Sequence, residues 1–157
     1  MDRIDINISS QSLAFYCENK FFSYAISTAK NGVGEQNGSN CTPRGKHIVR
    51  AKIGAGCPEN TVFVGRRATG EIYGPELKET FPDRDWILTR ILWLSGCEIG
   101  YNRLGCVDTM RRYIYIHGAP DANPMGVAAS LGCIRMHNRD VIDLFDRVAI
   151  GTPVNIV

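Results

Sequence analysis

Ile114-Tyr115-Ile116-His117-Gly118 is followed by Ser130-Leu131-Gly132-Cys133-Ile134-Arg135-Met136, which places the cysteine sixteen residues past the histidine. A branched apolar run reads as a buried strand that delivers a histidine, and a glycine-led turn delivers a cysteine and then an arginine. Those residue types are the parts of a cysteine acyl-transfer site: a nucleophile, a base, a flexible backbone for an oxyanion hole, and a cation for a carboxylate. A free thiol has a pKa of about 8.5 and needs help at neutral pH, which a histidine at hydrogen-bond distance supplies by taking its proton. Two flexible loops facing each other across a strand edge would bring Cys133 and His117 together. A cysteine activated in this way should react well below about pH 8. The preceding glycine lets the chain turn sharply, so that successive N–H groups point at a developing oxyanion.

The sequence carries its own control. Gly-Cys occurs at 56–57, 96–97, 105–106 and 132–133, so the pair alone is weak evidence. Only the last follows a strand ending in His-Gly and precedes a branched residue, an arginine and a helix start. His137 is a rival base, four residues after Cys133. Arg135 has the alternative of a surface salt bridge. The six cysteines (17, 41, 57, 97, 106 and 133) read as reduced thiols, because a chain of this size does not need disulfide staples. There is no CxxC pair, and His47, His117 and His137 show no ligand spacing to cysteine pairs, so neither a metal nor a cofactor is expected.

The elements that must position these residues are mostly strands. Residues 3–8, 12–17 and 21–28 alternate between polar and apolar across short turn-like breaks, which predicts an antiparallel meander. Residues 31–45 are rich in Gly, Asn, Ser and Pro and read as a long loop, and 46–53 and 61–66 as further strands. Residues 67–85 show little periodicity and read as a surface excursion long enough to form a lid or groove wall. Residues 87–94 are a core strand or short helix that periodicity cannot separate, and 112–117 are a second such run. The clearest helix begins at Asn138 as N-cap and places Val141, Leu144, Phe145 and Val148 on one face. Gly151 and Pro153 mark its end, and 154–157 close the chain as a strand.

At 157 residues the chain fits one domain, 1–157, of mostly-β class with a short helix or two. A net charge of +2 with scattered basic residues gives no reason to expect nucleic acid or an anionic membrane as partner. The N-terminus has no charged leader followed by an apolar run, so the expected location is the cytoplasm. A mature exported form given a new start methionine would read the same way and would belong in the periplasm. Oligomeric state is not legible.

The motif residues resemble the YkuD-type L,D-transpeptidase catalytic domain. That family's signature is His-Gly or His-Ser, a loop, then Ser/Thr-His-Gly-Cys, an apolar residue and Arg or Asn. The counterparts are His117-Gly118 and Ser130 to Arg135, and Thr42-Pro43-Arg44-Gly45 resembles the family's Thr-Pro-x-Gly element. The resemblance spans nearly the whole chain. It implies a YkuD-like β-sandwich or mixed sheet with one clear helix near the C-terminus. It also implies attack by Cys133 on the carbonyl of the third residue, a diamino acid, of a peptidoglycan stem tetrapeptide or muropeptide, expelling D-alanine and leaving a thioester. His117 is then the base, the Gly118 carbonyl orients its ring, and the N–H groups of Gly132 and Cys133 form the oxyanion hole. Arg135 holds a substrate carboxylate, and Ser130, Leu131 and Tyr115 line the substrate. Leu131 stands where the family usually has histidine, which puts substrate preference in question but leaves the base in place. Carbapenems are implied as covalent inhibitors.

Water resolving the thioester would give an L,D-carboxypeptidase that trims recycled tetrapeptides to tripeptides, and an amine would give cross-links or D-amino-acid exchange. Short family members without export signals resemble the carboxypeptidases, so hydrolysis is the expected outcome. A catalytically idle domain that binds peptidoglycan stems is the remaining alternative.

Overall fold

The computed structural model describes residues 1–157. Ten strands form one mixed sheet: β1 (Arg3–Asn7), β2 (Ser12–Cys17), β3 (Lys20–Ser27), β4 (Gly45–Ile53), β5 (Thr61–Val64), β6 (Arg67–Ile72), β7 (Ile87–Gly96), β8 (Tyr115–Gly118), β9 (Ile134–Met136) and β10 (Pro153–Ile156). Helix α1 spans Pro75–Thr80 and α2 spans Asn138–Arg147. The spatial order is β4-β10-β1-β2-β3-β9-β8-β7-β5-β6, and β4 also pairs with β7. The sheet thus closes on itself through β4 and β7, leaving the β5–β6 hairpin as a flap. Of the two architectures expected, the mixed sheet is the one found. Two neighbours are parallel, β1 with β10 and β8 with β9.

Alternation explains the closure. Ile4 and Ile6, Leu13 and Phe15, Tyr24 and Ile26, and Val154 and Ile156 point inward at every second position. They join Val49, Leu92, Leu94, Ile116, Ile134, Met136 and the α2 residues Val141, Leu144 and Phe145 in one core. Full burial of each large aliphatic side chain contributes about 1.5–3 kcal/mol. A one-residue slip would turn a strand's whole set outward, so the register is strongly specified.

The meander falls where the alternation put it, the 31–45 loop is largely irregular, and 87–94 is a strand. Other expectations need correction. Residues 67–85 do lie at the surface but carry regular structure: 67–72 form the exposed strand β6 and 75–80 the short helix α1. Tyr73 and Leu77 of this segment pack on a small cluster of Val62, Trp86 and Leu88. The strand carrying His117 starts only at Tyr115, because Tyr113 adopts a left-handed backbone with φ of 58°. His137 rather than Asn138 occupies the N-cap position of α2, without a side-chain capping bond, and the helix ends at Arg147, before Val148 takes an extended conformation. Gly151 serves the turn into β10 instead. All six cysteines are unpaired, and no helix is long and apolar enough to cross a membrane.

Candidate active site

Strands β8 and β9 lie side by side and parallel, pairing Ile116 with Ile134, His117 with Arg135 and Gly118 with Met136. The two-residue period sends Ile116, Ile134 and Met136 into the core. Tyr115, His117, Cys133 and Arg135 therefore share the opposite face. Adjacent parallel strands, not two facing loops, bring the motif residues together. Strand β9 is not legible from the residues alone, being three residues long and running straight on towards α2.

His117 has no exposed surface. Its Nδ1 lies 2.6 Å from the Gly118 carbonyl oxygen. A carbonyl only accepts, so the proton sits on Nδ1 and Nε2 keeps its lone pair. Nε2 is buried without a hydrogen-bond partner, as are Ser27 Oγ and Arg90 Nε; of the three only Nε2 is a lone-pair base on the sheet face that bears Cys133. Burial lowers the imidazole pKa, against opposing pulls from the Gly118 carbonyl and Asp85, so the ring is neutral at pH 7.

Cys133 is half-buried against Phe63, Ile91 and Tyr115. Its Sγ donates to the Tyr113 carbonyl at 3.3 Å and accepts the Tyr115 N–H at 3.3 Å. Burial pushes the thiol up to about 12, outweighing the Tyr115 N–H and the positive charges of Arg135 and Arg112. Reaction below about pH 8 therefore needs the His117 base to take the thiol proton. With the thiol pushed up and the imidazole pushed down, the resting pair is a neutral thiol and a neutral imidazole. No hydrogen bond joins the two in this structure.

The turn before Cys133 is tightly held. The Ser130 hydroxyl donates to the Cys133 carbonyl at 2.6 Å and accepts the Gly132 N–H at 3.2 Å. The Thr42 hydroxyl, from the Thr-Pro-Arg-Gly element, donates to the Gly132 carbonyl at 2.9 Å. Gly132 has φ of 131°, and a Cβ there would lie 3.3 Å from the Cys41 carbonyl oxygen, so the position requires glycine. Two expected roles change. Ser130, expected to line the substrate, is buried and organises the turn. Gly132, expected in the oxyanion hole, has its N–H occupied by Ser130, whereas the Cys133 N–H takes no partner.

Arg135 is not a free cation either: its guanidinium donates to the Asp85 carboxylate at 2.8 Å and to the Ala129 carbonyl at 3.3 Å. Its salt-bridge alternative is the one seen. Tyr115 is buried, with its hydroxyl accepting from Arg66 at 3.0 Å, so it walls the site from beneath. Leu131 is 60 % exposed at the rim. The rival base His137 occupies the N-cap position of α2 and lines a separate polar cavity with Glu59, Asp121, Arg139 and Asp140.

Sequence reasoning missed the support behind the histidine. The Asn138 amide donates to the Ala119 carbonyl at 2.9 Å and to Asp121 at 3.1 Å, and its oxygen accepts from the Thr89 hydroxyl at 2.6 Å. Asn138 is fully buried and fixes Gly118 from behind. Thr89, with φ of 75°, sits where the β7–β8 register shifts, a strained position for a branched residue. Asp85 was also missed, because its approach to Arg135 spans fifty positions. Five cavities of 420–620 Å³ lie elsewhere on the molecule, and none of them is lined by Cys133 or His117. No cluster of three His, Cys, Asp or Glu side chains could hold a metal ion.

The L,D-transpeptidase catalytic domain family, YkuD, matches residues 1–156 of the chain. YqjB of Bacillus subtilis strain 168, which carries the L,D-transpeptidase name, is 41 % identical over 150 residues, covering 95 % of this chain and 67 % of that protein. YkuD of Bacillus licheniformis, named likewise, is 48 % identical over 46 residues, which span 29 % of this chain and 28 % of its own length. The solution structure of the catalytic domain of an E. faecium L,D-transpeptidase acylated by ertapenem superposes with a TM-score of 0.56. That match is 16 % identical and covers 99 % of this chain and 96 % of the other, so it bears on the fold alone.

Proposed function

The chain belongs to the L,D-transpeptidase catalytic domain family, and from that premise we propose that it is a cysteine acyl-transfer enzyme acting on peptidoglycan stem tetrapeptides. The carrying observation is the His117 Nε2, buried without a partner on the sheet face that bears Cys133, with Nδ1 locked on the Gly118 carbonyl. In the proposed reaction Nε2 takes the Cys133 proton as the sulfur attacks the carbonyl of the third residue. The Cys133 N–H meets the oxyanion. The protonated imidazole then gives its proton to the departing D-alanine amine, leaving a thioester.

Water completes the cycle, with His117 again as base, so the proposed outcome is hydrolysis of tetrapeptide to tripeptide, as in murein recycling. Transfer to an amine is the second reading, favoured by the transpeptidase names of the relatives. Carbapenem acylation of Cys133 is proposed as well, supported by the ertapenem adduct of the E. faecium domain.

The test is mass spectrometry of products from a tetrapeptide muropeptide, with and without excess free D-amino acid. Tripeptide as the product under both conditions supports hydrolysis. A product carrying the added amino acid, or a cross-linked dimer, establishes transfer instead.

A further inference from the structure

Three guanidiniums bear on the Cys133 site, and two are already engaged. Arg135 is paired with the Asp85 carboxylate. Arg112 donates to the carbonyls of Gly34 and Cys41 and to the Ser39 hydroxyl, which pins the 31–41 loop. Arg66 is different. It donates to the Tyr115 hydroxyl, and its guanidinium lies 4.8 Å from the ring centre of Trp93 and 4.8 Å from that of Tyr113. It has no carboxylate partner, as the four salt bridges of the chain involve other residues. Tyr113 and Tyr115, which hold it, are the residues whose backbones contact the Cys133 sulfur.

Its backbone is costly. Gly65 and Arg66 both have positive φ, 57° and 64°, in the two-residue turn between β5 and β6. Such a turn favours Gly or Asn at both places, and a long side chain there carries strain. Tyr113, across from it, is left-handed too. Two strained residues thus meet beside the nucleophile, a pattern that concentrates at ligand sites. The Tyr115 hydroxyl takes one N–H of the guanidinium, and its other donors, which no carboxylate of the chain holds, match a carboxylate.

We propose that Arg66, held by Trp93, Tyr113 and Tyr115, is the residue that binds the substrate carboxylate, in place of the neutralised Arg135. The assignment deepens the acyl-transfer reading and rests on it for the identity of the substrate. The carboxylate comes from the terminal D-alanine or from the side chain of the third residue.

Iodoacetate and iodoacetamide form the same sulfur–carbon bond with loss of iodide, and only the first carries a carboxylate. Their rates at Cys133, read by peptide mapping, therefore test Arg66 without peptidoglycan. Arg66→Gln should lower the iodoacetate-to-iodoacetamide ratio about tenfold while the iodoacetamide rate holds. Arg66→Lys should keep most of the ratio, and Arg135→Gln should leave it unchanged. An unchanged ratio in Arg66→Gln, or a fall in Arg135→Gln instead, overturns the assignment. With tetrapeptides amidated at one carboxylate or the other, the KM penalty of Arg66→Gln should vanish for the one it holds. A penalty that persists on both amides means a structural role and also overturns it. If the wild type turns over no stem peptide yet the alkylation ratio still depends on Arg66, the carboxylate site stands and the peptidoglycan reading falls.

Discussion

Replacing Gly118 by alanine tests whether the backbone behind His117 positions the ring. A Cβ built at Gly118 would lie 2.4 Å from the Asn138 side-chain oxygen, 2.6 Å from the Leu88 carbonyl oxygen and 3.1 Å from the Thr89 Cβ. None of the three can yield cheaply, since one is backbone in β7 and the others belong to the buried Asn138–Thr89 pair. Overpacking of this kind costs about 1–3 kcal/mol. In a chain of this size each kcal/mol moves the melting temperature by about 2–4 °C, so Gly118→Ala should melt roughly 2–12 °C lower. The carbonyl that holds Nδ1 must move with the strand, and a misplacement near 1 Å costs about a hundredfold in rate. Thermal denaturation and tetrapeptide turnover, measured beside Gly74→Ala, make the assay; a Cβ at Gly74 meets nothing within 4 Å. Gly118→Ala that melts and turns over like the wild type would refute the claim that close packing fixes the imidazole.

Other substitutions probe the same account. Ser130→Ala removes two hydrogen bonds from a buried turn and should cost about 1–3 kcal/mol by denaturant unfolding; a loss below about 0.5 kcal/mol contradicts its organising role. His47, buried between Thr109 and the Gly45 carbonyl, has its pKa lowered by burial from 6.5 to about 4. Above pH 6.5 both folded and unfolded states leave it neutral; as the pH falls to 4 only the unfolded chain takes a proton. Stability should therefore drop by about 3 kcal/mol across that window, and His47→Gln should flatten the drop, which unfolding curves at each pH will show. The neutral resting pair makes proton transfer part of Cys133 attack, so acylation should run slower in D2O than in water. An equal rate would point to a preformed thiolate.

The meander and the inward residues of β1 to β3 were legible because one face of each strand is buried and the pattern has period two. Cys133 and His117 stood out as candidate nucleophile and base from residue type and local order. What escaped depends on contacts distant in sequence. Asn138 is a favoured N-cap type, yet Thr89 and Ala119 claim its side chain from across the fold, and His137 occupies the N-cap position of α2. Strand β9 is too short to show a period. Residues 67–85 hide their order because β6 is exposed on every residue and has no apolar alternation to read. Arg135 offered no sign of its neutralisation, since Asp85 lies on that same segment.

The central claim is that Cys133 carries the acyl group and His117 moves its proton. Intact-mass and peptide-mapping spectrometry of the protein quenched in acid during turnover of a stem tetrapeptide tests it directly. The account predicts a tripeptidyl adduct on the peptide containing Cys133, absent in Cys133→Ala and formed orders of magnitude more slowly in His117→Ala. Turnover retained by Cys133→Ala, or an adduct on any of the other five cysteines, would contradict it.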